Sequence, residues 1–237
     1  MYPVGVQYSG AMRRADSETS VSLGVILNLG APRDGGDIAF CSTRSVTIAG
    51  GGHTECAKPR FTIWRWALSH THALGDDWQF RFGLNGQLTK DMLIPGEQFG
   101  AGGVDSVRGF LEREVVNDWG HRGTLELYSP DWGSIFGLSG ARARAVVFID
   151  WGSVRRNRPS AAEVHGQTIA STGLGLRFSR GNNFTLRTDY GIVRDRGGGG
   201  VATPMQGKDD GRLTFIQSVM AGSAVNAGKS LECVVRR

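Results

Sequence analysis

The sequence predicts an antiparallel β-barrel that spans a membrane, and three observations favour this all-β fold class. Apolar and polar residues alternate with a period of two along most of the chain, which is typical of strands. The polar positions carry many arginines and carboxylates, as the wet interior of a membrane barrel does. Short and long connections alternate between the predicted strands, as they do when short turns lie at one end of a barrel and long loops at the other.

The alternation places nine strands along the chain. They are expected near residues 2–9, 21–29, 60–74, 78–88, 120–128, 141–151, 167–179, 184–192 and 211–221. A tilted strand of about ten residues crosses roughly 25 Å of hydrocarbon, so most of these lengths suit a membrane barrel. A soluble β-sandwich with one solvated face would show the same alternation and is the alternative fold.

Composition excludes several other classes. The chain has 237 residues with 36 glycines, and 40% of its residues are apolar. No apolar run approaches the roughly 18 to 20 residues of a transmembrane helix. The net charge of +5 is scattered without a basic run, so nucleic acid is not an expected partner. The N-terminal residues show no signal-peptide pattern.

The three cysteines leave two interpretations open. Cys41 and Cys56 lie in one glycine-rich stretch, where an oxidising compartment would allow a disulfide and a reducing one would leave two thiols. Cys233 stands alone near the C-terminus, and no spacing matches a zinc site.

Sequence patterns for enzyme chemistry are weak. The segment Gly100-Ala101-Gly102 lacks the third glycine of a dinucleotide-binding loop, and neither a P-loop nor a G-x-S-x-G elbow is present. His70 and His72 share a strand face without a third metal ligand nearby in the sequence, so surface histidines are favoured over a metal site. The sequence therefore predicts no enzyme activity, no cofactor and no metal.

A more specific signal lies between residues 93 and 150. The segment GGVDSVRGF occupies residues 102–110 and includes Val107, Arg108, Gly109 and Phe110, GHRG follows at 120–123, and Phe148-Ile149-Asp150 comes later. In this order the motifs resemble those of the two-partner secretion transporters (TpsB; ShlB-type hemolysin activation/secretion proteins). VRGF alone is less specific, because barrels that assemble outer-membrane proteins share it.

The resemblance implies a barrel of 16 strands, preceded by two periplasmic POTRA domains and a plug helix, in the outer membrane of a Gram-negative bacterium. It implies that the long loop at 90–119 folds back into the lumen, where Arg108 pairs with Asp150 of the F-x-D motif (Phe148, Asp150). Alternation independently turns Asp150 toward the lumen, because it shares a strand face with Arg142 and Arg144. Gly109 would permit a tight turn, and Phe110 would pack against the wall.

The function implied by the resemblance is secretion and activation of a large exoprotein, such as a hemolysin or adhesin. Expected partners are that exoprotein, outer-membrane lipid and the barrel assembly machinery. An insertase-type barrel that assembles outer-membrane proteins is the alternative. Relative to this family the chain is expected to be a fragment, with residues 1–221 forming the C-terminal barrel part and 222–237 an atypical tail.

Overall fold

The computed structural model describes residues 1–30, 36–47, 54–133, 137, 140–160, 163–181 and 184–197, with the backbone of 211–219 and 231–235. One helix, α1, spans Asp37–Thr43, and one 3-10 turn spans Pro95–Glu97. The strands, numbered β1 to β14 in chain order, are Pro3–Arg13, Ser17–Leu29, Ser45–Thr47, Thr54–Cys56, Arg60–Ala73, Gln79–Leu88, Phe99–Ala101, Val115–Asn117, Trp119–Tyr128, Ala141–Arg155, Gly166–Arg180, Phe184–Arg196, Gly211–Val219 and Leu231–Val235. In this part of the chain no helix has the length and apolar character needed to cross a membrane.

Ten of the strands form one antiparallel sheet in the order β1-β2-β5-β6-β9-β10-β11-β12-β13-β14. Each strand of this sheet pairs with the next one along the chain, and the short hairpins β3-β4 and β7-β8 lie within two of the connections. The predicted all-β antiparallel fold is confirmed. Among the described strands β1 and β14 are the two edges, so the sheet is open.

The predicted strands all lie in this sheet, and the structure adds shorter ones. β14 lies inside the tail at 222–237 and pairs antiparallel with β13, where Leu213 faces Val235. The hairpin strands β3, β4, β7 and β8 have three residues each. Segments this short contain too few alternations to stand out in a sequence.

The two faces of the sheet differ in chemistry. On one face Leu23 and Leu174 are 57% and 63% exposed, and along β10 Val147 and Ile149 lie on this same apolar face. On the other face of β10, Phe148 and Asp150 are buried beneath the connection at 89–118. An exposed apolar face opposite a polar one is the arrangement by which barrel strands meet lipid outside and water inside.

The two longest connections between the described strands of the sheet, apart from those next to β13 and β14, leave from the same end. Because the strands run antiparallel in chain order, the connections at 30–59, 89–118 and 156–165 share that end, and the turns at 14–16 and 74–78 share the other end with the connection at 129–140. An apolar cluster that includes Phe40, Phe61 and Leu93 joins the first two long connections. A disulfide between Cys41 and Cys56 closes a loop within the first.

The exposed apolar face predicts a membrane-specific effect of charge. We expect Leu174→Arg to lower the free energy of unfolding in phospholipid vesicles by about 2 to 4 kcal/mol near the bilayer midplane, because the guanidinium would replace an apolar group against lipid. Urea titration in vesicles measures this. Gln7→Arg, at an exposed position on the opposite face of β1, is the control, and an equal loss for both variants would contradict the assignment of faces.

Candidate functional site

The site is built around the connection between β6 and β9, which folds back over the polar face of the sheet. Its outgoing and returning segments pair as the hairpin β7-β8, with Phe99 opposite Asn117. Beyond β7 the chain makes a tight tip that carries Val107, Arg108, Gly109 and Phe110. The Arg108 side chain is only 4% exposed, so the tip delivers a positive charge to the buried side of the sheet.

Arg108 contacts Asp150 of β10 through three hydrogen bonds. Its Nε donates to Asp150 Oδ2 at 2.7 Å and its Nη2 donates to Oδ1 at 2.7 Å, which is a two-point guanidinium–carboxylate pair. The backbone N–H of Arg108 also donates to Oδ2 at 3.1 Å. Because both side chain and backbone bind one carboxylate, Asp150 fixes the position of the tip and not only the side chain of Arg108.

Further wall residues complete this cluster, and the sequence did not assign them as partners of Arg108. Arg108 Nη1 donates to Glu126 Oε1 at 2.7 Å, and Nη2 donates to Thr124 Oγ1 at 3.1 Å. Thr124 in turn donates to Asp150 Oδ1 at 2.6 Å. The guanidinium carbon lies 3.5 Å from the centre of the Phe148 ring, a cation–π contact. We call Arg108, Asp150, Glu126, Thr124 and Phe148 the tip cluster.

The pairing of β9 with β10 explains why these side chains meet. Asp150 lies opposite Thr124, and Phe148 lies opposite Glu126. Directly opposed side chains on one face are close enough to share a ligand, here the guanidinium. The alternation in the sequence alone predicts that Asp150 faces the lumen. Only the pairing register shows which residues of β9 lie beside it.

The surrounding charges keep Arg108 protonated. Burial acts to lower the pKa of Arg108, but the hydrogen bonds and charge of Asp150, together with the charges of Glu126 and Asp189, raise that pKa above its ordinary value. Asp189 Oδ1 lies 3.6 Å from Arg108 Nη1. The tip therefore carries a permanent charge, whose burial depends on the carboxylates around it.

Two glycines allow the tip to approach the wall. Gly109 has a φ of +94°, a backbone conformation that residues with a side chain rarely adopt. Gly191 of β12 faces it, and a Cβ at Gly191 would lie 2.8 Å from the backbone carbon of Arg108. Phe110 packs in an apolar cluster with Val154 and Ile169 of the wall. The tip thus turns tightly at Gly109 and contacts the wall through Phe110.

A second arginine also holds the tip, but this one belongs to the sheet and binds acceptors on the loop. Arg187 of β12 donates to Asp105 Oδ1 at 2.9 Å and to the Val104 carbonyl at 2.9 Å. Its Nε donates to Asp189 Oδ2 at 2.7 Å. The sequence gives no indication that Arg187 and Asp189 reach the loop, because that depends on where the loop crosses β12.

The base of the same connection is held by a buried carboxylate, Asp118, which is 0% exposed. It forms an ion pair with Arg44 of the first long connection. It also accepts hydrogen bonds from the backbone N–H groups of Leu93 at 2.9 Å and Asn157 at 2.7 Å. We call Asp118, Arg44, Leu93 and Asn157 the base cluster. It joins three connections at this end of the sheet.

The remaining candidate residues are placed as follows. Cys41 and Cys56 are placed as a disulfide pair. The His70 and His72 rings stack with centroids 6.1 Å apart, and His70 Nδ1 lies 2.8 Å from the Thr19 hydroxyl. Within the described part of the chain no group of three or more His, Cys, Asp or Glu residues could hold a metal ion.

Comparison with known proteins identifies the family. Residues 13–178 match the family described as haemolysin secretion/activation protein ShlB/FhaC/HecB. The heme/hemopexin transporter protein HuxB of Haemophilus influenzae (strain 86-028NP) is 27% identical over 133 residues, which are 54% of this chain and 23% of that protein. The matched stretch is thus less than a quarter of the relative's length. No solved structure matches the chain.

The chain belongs to the ShlB/FhaC/HecB family, because the family match covers well over half of its residues. This is a family of secretion and activation transporters of the outer membrane rather than of enzymes. The open antiparallel sheet is accordingly of the transmembrane β-barrel class, as the motifs predicted.

The tip cluster predicts a large effect of removing its central charge pair. We expect Asp150→Asn to lower the free energy of unfolding by about 3 to 5 kcal/mol, because the guanidinium of Arg108 would stay buried without its main counter-charge. Urea titration in vesicles measures the loss. Asp16→Asn is the matched control, because Asp16 lies in a turn and its side chain is 60% exposed. A loss for Asp150→Asn no greater than the loss for Asp16→Asn would refute the assignment.

The base cluster predicts a local change in hydrogen exchange. In Asp118→Asn we expect the amides of Leu93 and Asn157 to exchange about tenfold faster or more, because a neutral amide is a weaker acceptor than a carboxylate. In the control Asp91→Asn, the amide of Thr62 should respond instead, since Asp91 accepts its N–H at 2.8 Å. Unchanged exchange at both Leu93 and Asn157 in Asp118→Asn would exclude the base cluster as their anchor.

Proposed function

We propose that this chain, as a member of the ShlB/FhaC/HecB family, lines an outer-membrane pathway through which a large unfolded exoprotein is secreted and activated. In this proposal the connection at 89–118 is the element that moves, and Arg108 holds it in the resting position. The observation that carries the proposal is the buried, multiply bonded contact between the loop tip and Asp150 on the sheet.

The position of the loop is the first support. Its tip lies against β9, β10 and β12 on the polar face, through Glu126, Asp150 and Arg187. A polypeptide that passes along this face would meet the tip and would have to displace it. Secretion therefore requires either release of the tip cluster or a path around it.

The chemistry of the contact is the second support. The tip is held by ion pairs and hydrogen bonds, which water can replace when the tip leaves the wall, and also by packing of Phe110 against Val154 and Ile169. A contact built only from apolar packing would expose apolar surface on opening. The polar contact is also directional, so the tip returns to one register when it closes.

The engagement of Asp150 argues for positioning rather than for catalysis. Its Oδ1 accepts hydrogen bonds from Arg108 and Thr124, and its Oδ2 accepts two from Arg108. A carboxylate whose two oxygens are engaged in this way is a poor general base. The group is suited to holding a charge in place.

The partners follow from the same proposal. The substrate would be an exoprotein of the haemolysin or adhesin type, and the similar protein HuxB is itself named as a heme/hemopexin transporter. Lipid of the Gram-negative outer membrane would cover the apolar face that includes Leu23 and Leu174. The barrel assembly machinery would insert the strands into that membrane.

The proposal predicts that secretion depends on the tip contact. We expect Arg108→Ala to reduce export of a haemolysin-type exoprotein at least tenfold in Gram-negative cells that express the protein, because the tip loses its bonds to Asp150 and Glu126. Exoprotein in the culture medium, measured against exoprotein retained in the cells, gives the readout. Unchanged export in Arg108→Ala would contradict the proposed role of the tip.

A pair of glycine variants tests the same contact without altering charge. Gly191→Ala would place a Cβ 2.8 Å from the backbone of Arg108, so it should displace the tip and reduce export. Gly96→Ala, at a loop position with open space around it, should leave export unchanged. Membrane-fraction levels of each variant separate loss of function from loss of the protein.

A further inference from the structure

A cavity of about 320 Å³ lies between the loop hairpin and the sheet. Arginines from three elements line it: Arg65 of β5, Arg113 of the returning loop segment and Arg122 of β9. Neutral polar side chains, including Gln7, Ser22 and Asn85, complete its lining.

Arg122 enters this cavity with neutral partners. Its Nε donates to Asn85 Oδ1 at 3.1 Å, and its Nη1 lies 3.5 Å from the Gly100 carbonyl. Its guanidinium carbon is 5.9 Å from the centre of the Phe99 ring. These contacts fix the direction of the side chain. Among the described residues no carboxylate forms an ion pair with Arg122, and the charges of Glu112 and Asp105 act on it only from beyond hydrogen-bond distance.

Arg113 is placed beside Arg122 at a cost in backbone conformation. Its φ is +52°, a backbone conformation that a residue with a side chain seldom adopts. Its side chain crosses Gly100, where a Cβ would lie 3.0 Å from Arg113 Cγ. Its Nη2 donates to the Gln98 carbonyl at 3.0 Å. The backbone conformation of Arg113 and the absence of a side chain at Gly100 together allow the guanidinium of Arg113 to reach the cavity.

The contrast with the neighbouring arginines is the central observation. Arg108 and Arg187 each form ion pairs with buried or loop carboxylates. Among the described residues neither Arg113 nor Arg122 forms an ion pair, and Arg65 shares only a 3.4 Å contact with Glu97. Arg113 and Arg122 thus converge on one cavity without a carboxylate in ion-pair contact, and an anion that enters the cavity would stabilise both.

We propose that this cavity binds carboxylates, and that acidic side chains of the polypeptide in transit occupy it in turn. The identification of the carboxylate's source rests on the proposed secretion function, whereas carboxylate binding itself does not. A guanidinium fork binds a carboxylate at two points, and the neutral lining suits the adjoining peptide groups. A cavity of this volume admits an Asp or Glu side chain together with part of its backbone.

Peptide binding to the purified chain in zwitterionic detergent micelles tests the proposal. The probes are a ten-residue Gly/Ser peptide with two Glu residues and a neutral fluorophore, and its twin with Gln in place of Glu. We expect fluorescence anisotropy to show at least fivefold tighter binding of the Glu peptide at low salt. Arg113→Gln and Arg122→Gln should each remove most of this preference and leave binding of the Gln peptide unchanged.

Two further variants keep the test decisive. Arg14→Gln removes the same charge from an exposed turn at the opposite end of the sheet and should keep the preference. If Arg122→Gln does not fold, as judged by circular dichroism, Arg122→Lys keeps the charge without the fork and should weaken the preference. Equal binding of the two peptides, or an equal loss of preference in Arg14→Gln, would overturn the site.

Competition distinguishes the sources of the carboxylate. Free glutamate and inorganic phosphate should displace the Glu peptide only at much higher concentration than the unlabelled Glu peptide does. Displacement at a similar concentration would overturn the assignment to a polypeptide. Because this assay needs no secretion, an Arg108→Ala variant with normal export would refute the transport role of the tip and leave the binding result standing.

Discussion

The rest of the structure depends on the burial of one guanidinium, that of Arg108. A charge removed from water is stable only where opposite charges and hydrogen-bond acceptors surround it, and here they come from separate strands: Glu126 of β9, Asp150 of β10 and Asp189 of β12. The loop position therefore depends on the pairing register of the sheet. A slip of one residue in β10 would turn Asp150 to the apolar face and leave the cation without its main partner.

The loop is held at two places by the same kind of interaction, and the two have different consequences. At the base, Asp118 binds Arg44, Leu93 and Asn157, so it ties the loop to neighbouring connections, and a disulfide and an apolar cluster reinforce that region. At the tip, Arg108 binds the sheet itself. Release of the tip would break its polar contacts and separate Phe110 from Val154 and Ile169, whereas release of the base would part three connections that hold one another. Movement of the loop is thus expected about its base, with residues between the two clusters following the tip.

The sequence predicted the parts of this arrangement that depend on local pattern. Period-two alternation located the long strands and the face of Asp150, and the VRGF and F-x-D motifs singled out Arg108. It could not identify Glu126 or Arg187 as partners of the tip, because their contacts depend on strand register and on the path of the loop across β12. Asp118 escaped notice for a similar reason, since its partners come from three connections that have no periodicity. Spacing alone likewise left the pairing of Cys41 and Cys56 undecided, because distance along a loop does not fix distance in space.

The arginines between the loop and the polar face of the sheet fall into two groups, which differ in their hydrogen-bond and ion-pair partners. Arg108 and Arg187 are matched by carboxylates and so hold the loop against the sheet without attracting a further anion. Arg113 and Arg122 have only neutral hydrogen-bond partners in the described part of the chain, and they lie where the hairpin meets the sheet. The same residue type therefore holds the loop where a carboxylate binds it, and it is available to an entering anion where its hydrogen bonds are to neutral groups.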